Sequence, residues 1–90
     1  MIHKKIIVTG NVQGVFFRQT ALQKAHDLNL KGWIKNDPSG TVTASVEGNE
    51  NDVAEFIKWC HQGPSGARVE HVIEELQPVE HFYQFEIKRL

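Results

Sequence analysis

The sequence predicts a two-layer α/β sandwich in which two helices cover one face of a single β-sheet. Two segments carry apolar residues at the three- and four-residue spacing of amphipathic helices. Runs of alternating or β-branched residues, typical of strands, stand before, between and after those segments. Because each helix has only one apolar stripe, both helices need the same sheet face to bury it.

The first predicted strand leads through a glycine-flanked loop into the first helix. Lys5–Thr9 is apolar and β-branched, which favours a strand, and Gly10–Gly14 interrupts that pattern. The helical spacing then runs from about Phe17 to Leu28. Asn29 is a suitable left-handed residue to end this helix.

A β-hairpin is predicted next. Gly32–Asn36 and Thr41–Glu47 are the predicted strands, and Asp37–Gly40 between them is a tight turn. Pro38 presets its own backbone angle and Gly40 tolerates a left-handed one, as such turns require. Two strands joined by so short a connection are expected to pair antiparallel.

The second half of the chain adds a helix and two strands. Asn49 is a natural N-cap for a helix that Gly63 ends. A fourth strand is predicted over Val69–Leu76 and a short last strand over Phe82–Lys88. Three residues are expected to share the apolar face of the last strand: Tyr83, Phe85 and Ile87.

The order β-α-β-β-α-β closes naturally as the split β-α-β, or ferredoxin-like, arrangement. We expect one α+β domain over residues 1–90, with an antiparallel sheet, both helices on one face, and the last strand as a short extension. This architecture hosts many unrelated functions, so the function has to be inferred from a site.

Composition and charge exclude several classes of protein. The chain has 90 residues and a formal net charge of −1, which argues against nucleic-acid or membrane-surface binding, since both need a basic field. No apolar stretch approaches the length of a membrane span. The single cysteine cannot form an internal disulfide, and the N-terminus lacks the apolar core of a signal peptide. We therefore expect a cytoplasmic protein, and nothing requires more than a monomer.

Neither a metal nor another cofactor is expected. The histidines match no ligand spacing and are predicted to lie on the surface. They are His3, His26, His61, His71 and His81. Cys60 falls in the apolar stripe of the second helix, which predicts a small buried residue and not a catalytic thiol.

The loop between the first strand and the first helix is the best candidate site. Glycines at such a junction let successive backbone N–H groups point inward as an anion-binding nest, to which the helix N-terminus adds its own N–H groups. Arg18 would add a forked cationic donor for phosphate oxygens. From spacing alone, the same residues also fit an ordinary connection with a surface arginine. The loop matches neither of the nucleotide-binding motifs GxxxxGK[ST] and GxGxxG.

Two longer motifs resemble those of a known family. Gly10–Arg18 resembles the signature G-x-V-Q-G-V-x-[FY]-R of the acylphosphatases. The second signature of that family is G-aromatic-x-x-N-x-x-x-G-x-V-x-x-x-x-x-G. It is matched by Gly32, Trp33, Asn36, Gly40, Val42 and Gly48. Length and element order are similar as well, and the chain is identified as a member of that family.

The resemblance implies metal-free hydrolysis of the carboxyl–phosphate bond of a small-molecule acyl phosphate, with inorganic phosphate as a product. It implies that Arg18 binds the phosphate oxygens and that Asn36 positions the attacking water. The loop whose backbone would cradle the phosphate comprises Val12, Gln13, Gly14, Val15, Phe16 and Phe17. We expect its last N–H groups and the Arg18 guanidinium to converge on one point, within one water's reach of the Asn36 amide.

Three residues in and beside the site carry further expectations. Phe16 stands where the family often has a small residue, so it is a candidate for shaping access of the acyl group. Asp37 brings a carboxylate next to Asn36 and would weaken substrate binding if it pointed inward. Gln13 is expected to hydrogen-bond within the loop.

Two other functions remain alternatives. The first is a non-catalytic ferredoxin-like binding module, for example for RNA, but Ile6–Val8 and Val42–Val46 lack the aromatic and basic residues that such a sheet face needs. The second is an acylphosphatase-like domain that serves a larger carbamoyl-phosphate enzyme. Against it, we expect a chain of 90 residues to carry no such partner domain.

Overall fold

The computed structural model describes residues 1–89 and shows one five-stranded sheet with two helices packed on it. The elements in chain order are β1 (Ile2–Asn11), α1 (Phe17–Asp27), β2 (Lys31–Asn36), β3 (Val42–Gly48), α2 (Glu50–Gln62), β4 (Arg68–Gln77) and β5 (Phe85–Ile87). The strands lie in the order β4-β1-β3-β2-β5. The predicted succession of elements is confirmed. Neither helix is long and apolar enough to cross a membrane.

Alternation along the strands decides which residues face the helices. Ile6 and Val8 of β1, Ala44 of β3 and Ile34 of β2 are buried on the same face of the sheet. The helix residues that complete this single core are Phe17, Ala21 and Ala25 in α1 and Val53, Phe56, Ile57 and Cys60 in α2. Both helices therefore cover one face, as predicted, and Cys60 is the small buried residue that its position indicated.

The four strands β4, β1, β3 and β2 are antiparallel as predicted, but the added strand β5 makes the sheet mixed and not purely antiparallel. β1 pairs antiparallel with β3 and β4, and β2 pairs antiparallel with β3, but β5 pairs parallel with β2. β4 ends at Gln77 opposite His3, and β5 begins at Phe85 opposite Gly32. Those two points lie at the same end of the sheet on opposite edges. Residues 78–84, the crossing segment, therefore cross the sheet before β5 starts. β5 then runs away from that end in the direction of β2.

The crossing segment also shortens the last strand. Tyr83 lies in this segment and is 96% exposed, whereas Phe85 is buried. The prediction that Tyr83 shares the apolar face of the last strand with Phe85 was therefore wrong. β5 has three residues because only those pair with β2 once the crossing is complete.

A buried histidine lies beneath the crossing segment. His3 is 2% exposed, so the prediction of a surface position was wrong for this residue. Its Nδ1 lies 2.8 Å from the carbonyl oxygen of Pro78, its Nε2 is hydrogen-bonded to Ser45, and the ring of Phe82 packs edge-on against it. The cover comes from a segment distant in sequence, so the local pattern around His3 gave no sign of it.

A buried carboxylate anchors the same crossing segment. Glu47 is 1% exposed and accepts hydrogen bonds from the backbone N–H groups of Glu80, His81 and Phe82. Burial by itself raises the pKa of Glu47, but these three donors and the Coulomb interaction with His3 outweigh it. The pKa of the carboxyl group is therefore lowered from its ordinary value of 4.5.

We expect Glu47 to make folding stability sensitive to acid. Because the pKa of Glu47 is lower in the folded chain, its contribution is complete above the unfolded pKa of about 4.5 and is lost as the pH falls through the folded pKa. Glu47→Gln should cost about 2–3 kcal/mol at neutral pH, since an amide has one acceptor oxygen and turns its NH₂ toward backbone donors.

Urea unfolding from neutral pH to about pH 3 measures both effects. The free energy of unfolding of the unsubstituted chain should fall more steeply in acid than that of Glu47→Gln. Glu75→Gln, which changes an exposed carboxylate, is the control. Identical stability and identical pH profiles for Glu47→Gln and the unsubstituted chain would contradict the anchoring role.

Candidate active site

The candidate site lies at the end of the sheet opposite to the crossing segment. Val42 of β3 pairs with Val8 of β1 on one side and with Asn36 of β2 on the other. The last residue of β2 therefore lies level with Val8, three residues before β1 ends at Asn11 and its loop begins. α1 begins at Phe17, directly after that loop.

Two glycines give the loop its course. Gly10 has a φ of 123°, and a β-carbon on it would lie 2.1 Å from the carbonyl oxygen of Arg68, so only glycine lets β1 approach β4 this closely. The register between β1 and β4 shifts at this point. Gly14 has a φ of 73° with open space around it, which favours glycine for its backbone conformation alone. The motif glycines are thus explained by backbone geometry.

The N-terminus of α1 presents free backbone donors. Phe16 is the N-cap and makes no side-chain capping bond, and the first helical hydrogen bond runs from the Thr20 N–H to the Phe16 carbonyl, 3.1 Å. The N–H groups of Phe17, Arg18 and Gln19 precede that bond and have no acceptor within the helix. Together with the positive end of the helix dipole, they make this terminus suited to an anion.

A pocket of about 280 Å³ lies at this terminus. Its lining is Val12, Gly14, Phe16, Phe17, Arg18, Gln19 and Asn36. Six of the eight residues assigned from the sequence therefore surround one space, although they come from both ends of the first β-α-β-β half. Gln19 was not predicted, and its place directly after Arg18 in the first helical turn was the only signal for it.

The other two predicted loop residues do not line the pocket. Val15 is half-buried and packs against the core, where a β-carbon on Gly66 would lie 3.5 Å from its own. Gln13 does not bond within the loop as expected: its Nε2 donates to the carbonyl oxygens of Asp37, at 2.8 Å, and Thr41, at 2.9 Å. Gln13 thereby ties the loop to the turn that follows Asn36.

The carboxylate beside Asn36 points away from the pocket. Asp37 Oδ2 accepts hydrogen bonds from the hydroxyl groups of Thr41, at 2.7 Å, and Thr43, at 2.6 Å. Its side chain lines a different cavity, on the sheet face opposite to the helices. An anion at the loop therefore does not face this carboxylate directly.

The polar side chains on the pocket lining belong to Arg18, Gln19 and Asn36. Asn36 Oδ1 is buried and lacks a hydrogen-bond partner, as does Thr9 Oγ1; they are the two such side-chain atoms among residues 1–89. An unpaired buried carbonyl oxygen costs about 1–3 kcal/mol, which a bound water would recover. Within the same described part of the chain, no carboxylate lies within ion-pair distance of Arg18. Its guanidinium is therefore not neutralised by a neighbour.

Titratable side chains are absent from the pocket lining apart from Arg18. Burial raises the pKa of the Cys60 thiol, which lies in the core and outside the pocket. Over the described residues, no three His, Cys, Asp or Glu side chains are grouped closely enough to hold a metal ion. The arrangement offers hydrogen-bond donors, one permanent positive charge and two side-chain amides, those of Gln19 and Asn36.

Comparison with known proteins assigns a family to this fold and pocket. The family model described as Acylphosphatase matches residues 4–87. An acylphosphatase of Anaeromyxobacter dehalogenans is 43% identical over 88 residues, which is 97% of this chain and 95% of that protein. An acylphosphatase crystal structure from Bacillus subtilis has a TM-score of 0.96 at 32% identity, covering 99% of this chain and all of the other. Full-length HypF, solved with phosphate and nucleotide bound, has a TM-score of 0.92 at 31% identity over 98% of this chain but 12% of its own. The chain belongs to the acylphosphatase family.

Proposed function

We propose that this chain hydrolyses the carboxyl–phosphate bond of acyl phosphates, with the phosphate held by the 12–17 loop and Arg18 and the attacking water held by Asn36. One observation carries the proposal more than any other. Asn36, whose Oδ1 is buried and has no hydrogen-bond partner, lines the same pocket as Arg18 and the free end of α1.

The loop and helix supply the phosphate site. The N–H groups of Phe17, Arg18 and Gln19 have no acceptor within the helix and lie at the positive end of its dipole. The Arg18 guanidinium adds two parallel donors and a full positive charge, which match two phosphate oxygens. These groups stabilise a phosphate dianion in the ground state, and they stabilise the charge spread over its oxygens in the transition state.

The Asn36 amide orients the water. Its Oδ1 accepts a hydrogen bond from one O–H of the water, which turns an oxygen lone pair toward phosphorus. A new bond forms between the water oxygen and phosphorus while the bond from phosphorus to the acyl oxygen breaks, and that electron pair leaves with the carboxylate. An amide does not act as a base, so the water proton passes to a phosphate oxygen.

The leaving group explains why so few residues suffice. A carboxylic acid has a pKa of about 4–5, so the carboxylate departs without a proton from the enzyme. A phosphate monoester would release an alkoxide or phenoxide that needs a general acid, and the pocket lining contains none. We therefore propose an enzyme that is selective for acyl phosphates and needs neither a metal nor another cofactor.

Phosphate release from benzoyl phosphate in the presence of EDTA tests this function, with phenyl phosphate as the monoester control. We expect the acyl phosphate to be hydrolysed with chelator present and after treatment of the folded protein with a thiol-alkylating reagent. The monoester should be hydrolysed far more slowly. Activity that EDTA abolishes and a divalent ion restores would refute the metal-free mechanism. Equal turnover of both compounds would refute the proposed selectivity.

We further propose that the enzyme works as a monomer in the cytoplasm. The pocket residues that the proposal uses, Arg18, Asn36 and the first turn of α1, all lie in the first half of this chain. The only cysteine is a buried free thiol, which suits a reducing compartment. Light scattering during gel filtration should give the mass of one chain.

A further inference from the structure

Phe16 is an exposed aromatic residue at the pocket, and its side chain is not part of the hydrophobic core. Its side chain is 74% exposed although it lines the pocket, whereas Phe17 beside it is 2% exposed in the core. Aromatic side chains in the core pack in pairs such as Phe17 with Trp59, at 5.1 Å between ring centroids. Among the ring pairs of the described residues, none includes Phe16.

The backbone at this position disfavours a phenylalanine. Phe16 has a φ of 62° in the left-handed region, which glycine and asparagine adopt readily and bulky residues do not. Phe16 is also the N-cap of α1, where asparagine or glycine would serve better. A large apolar residue in a strained and exposed position points to a function outside folding.

The geometry of the reaction indicates what Phe16 contacts. In-line displacement places the leaving acyl group on the side of phosphorus away from the water, and hence away from Asn36. Of the loop residues on the pocket lining, Val12 and Phe17 are buried in the core and Gly14 has no side chain. Phe16 and Gln19 are therefore the exposed side chains that remain to meet an acyl group at the mouth of the pocket.

We infer that Phe16 determines acyl-group specificity: its ring contacts the acyl group and favours acyl phosphates with an aromatic or long aliphatic group over acetyl and carbamoyl phosphate. The inference rests on the proposed function of the same pocket. An apolar acyl group covers the exposed ring and is itself removed from water, while an acetyl or carbamoyl group is too small or too polar to gain from that contact.

Steady-state kinetics of Phe16→Ala and Phe16→Leu with benzoyl, acetyl and carbamoyl phosphate test the inference. For Phe16→Ala, the ratio of kcat/KM for benzoyl phosphate to that for acetyl phosphate should fall by about tenfold, the scale of one aromatic contact. Phe16→Leu should fall between, since it keeps apolar area and loses the ring. Inhibition by inorganic phosphate should not change, because the backbone N–H groups of α1 and the Arg18 side chain hold the phosphate, and inorganic phosphate has no acyl group for the ring of Phe16 to contact. Tyr83→Ala, which removes an exposed ring that does not line the pocket, should leave the kinetics with all three substrates unchanged.

The possible failures are distinguishable. Equal losses for all three substrates with weaker phosphate inhibition would show that Phe16 shapes the phosphate loop, and would overturn the inference. Unchanged kinetics in both Phe16 variants would overturn it as well, while the proposed function would stand. An unsubstituted chain that hydrolyses none of the three acyl phosphates would overturn the proposed function, and the inference with it.

Discussion

Arg18→Ala is expected to lower kcat/KM for an acyl phosphate by at least about a hundredfold, the scale for one preorganised donor in a transition state. The guanidinium is the only full positive charge on the pocket lining, and no carboxylate of residues 1–89 pairs with it. Its loss leaves the phosphate charge to backbone N–H groups alone. Inhibition by inorganic phosphate should therefore weaken together with turnover.

Arg18→Lys separates charge from geometry. Lysine keeps the positive charge but loses the planar fork that matches two phosphate oxygens, so we expect strong impairment in this variant too. Arg89→Ala, which removes an exposed arginine outside the pocket, is the control for net charge. A loss of tenfold or less in Arg18→Ala would remove Arg18 from the site.

Asn36→Ala is expected to lower kcat by at least about a hundredfold while inorganic phosphate still inhibits with nearly unchanged strength. The Oδ1 of Asn36 is the buried acceptor assigned to the water, and water orientation matters more in the transition state than in the bound ground state. The different response of phosphate inhibition to Arg18→Ala and Asn36→Ala is the signature of the two roles.

Asn36→Asp provides a second view of the same residue. A carboxylate retains an acceptor for water but adds a negative charge beside the phosphate, so phosphate inhibition should weaken in Asn36→Asp but not in Asn36→Ala. If Asn36→Ala and Asn36→Asp both weakened phosphate inhibition and left kcat intact, Asn36 would be a phosphate ligand and not a water ligand. Phosphate inhibition and kcat can be measured in the same titration.

Local sequence patterns were sufficient to predict the succession of helices and strands and the buried face of each helix. The spacing of Phe17, Ala21 and Ala25 predicted the buried stripe of α1, and Asn49 predicted the start of α2, where its side chain accepts from the Asn51 N–H. These features depend on contacts within a helix or one turn of it. A short stretch of sequence is therefore enough to predict them.

Contacts between distant segments could not be predicted in this way. The direction of β5, the burial of His3 and the anchoring role of Glu47 all depend on the segment that crosses the sheet from β4 to β5. No period or motif in the sequence signals that crossing. An antiparallel sheet was therefore expected, and the parallel pairing of the last strand with β2 was not predicted.

In the candidate site, too, some features could be predicted from the local sequence and others depend on contacts between distant segments. The motif residues Arg18 and Asn36 were assigned by resemblance, and the pairing of Val42 with both Val8 and Asn36 explains why they meet. Gln13 was expected to bond inside its own loop, but its partners lie in the β2–β3 turn. Which neighbours a polar loop residue finds depends on how loops pack against each other, and the sequence of one loop does not contain that information.

The most direct test of the account is to hydrolyse benzoyl phosphate in water enriched in the heavy oxygen isotope and to locate the label. Attack by an Asn36-held water on phosphorus places the new oxygen in inorganic phosphate and leaves the benzoate unlabelled. The measurement is mass spectrometry of both products, phosphate and benzoate, while part of the substrate is still present. Label in phosphate alone is the predicted result. Label in benzoate would mean that water attacks the carbonyl carbon, and would contradict the assignment of Arg18, the loop and Asn36 to chemistry at phosphorus.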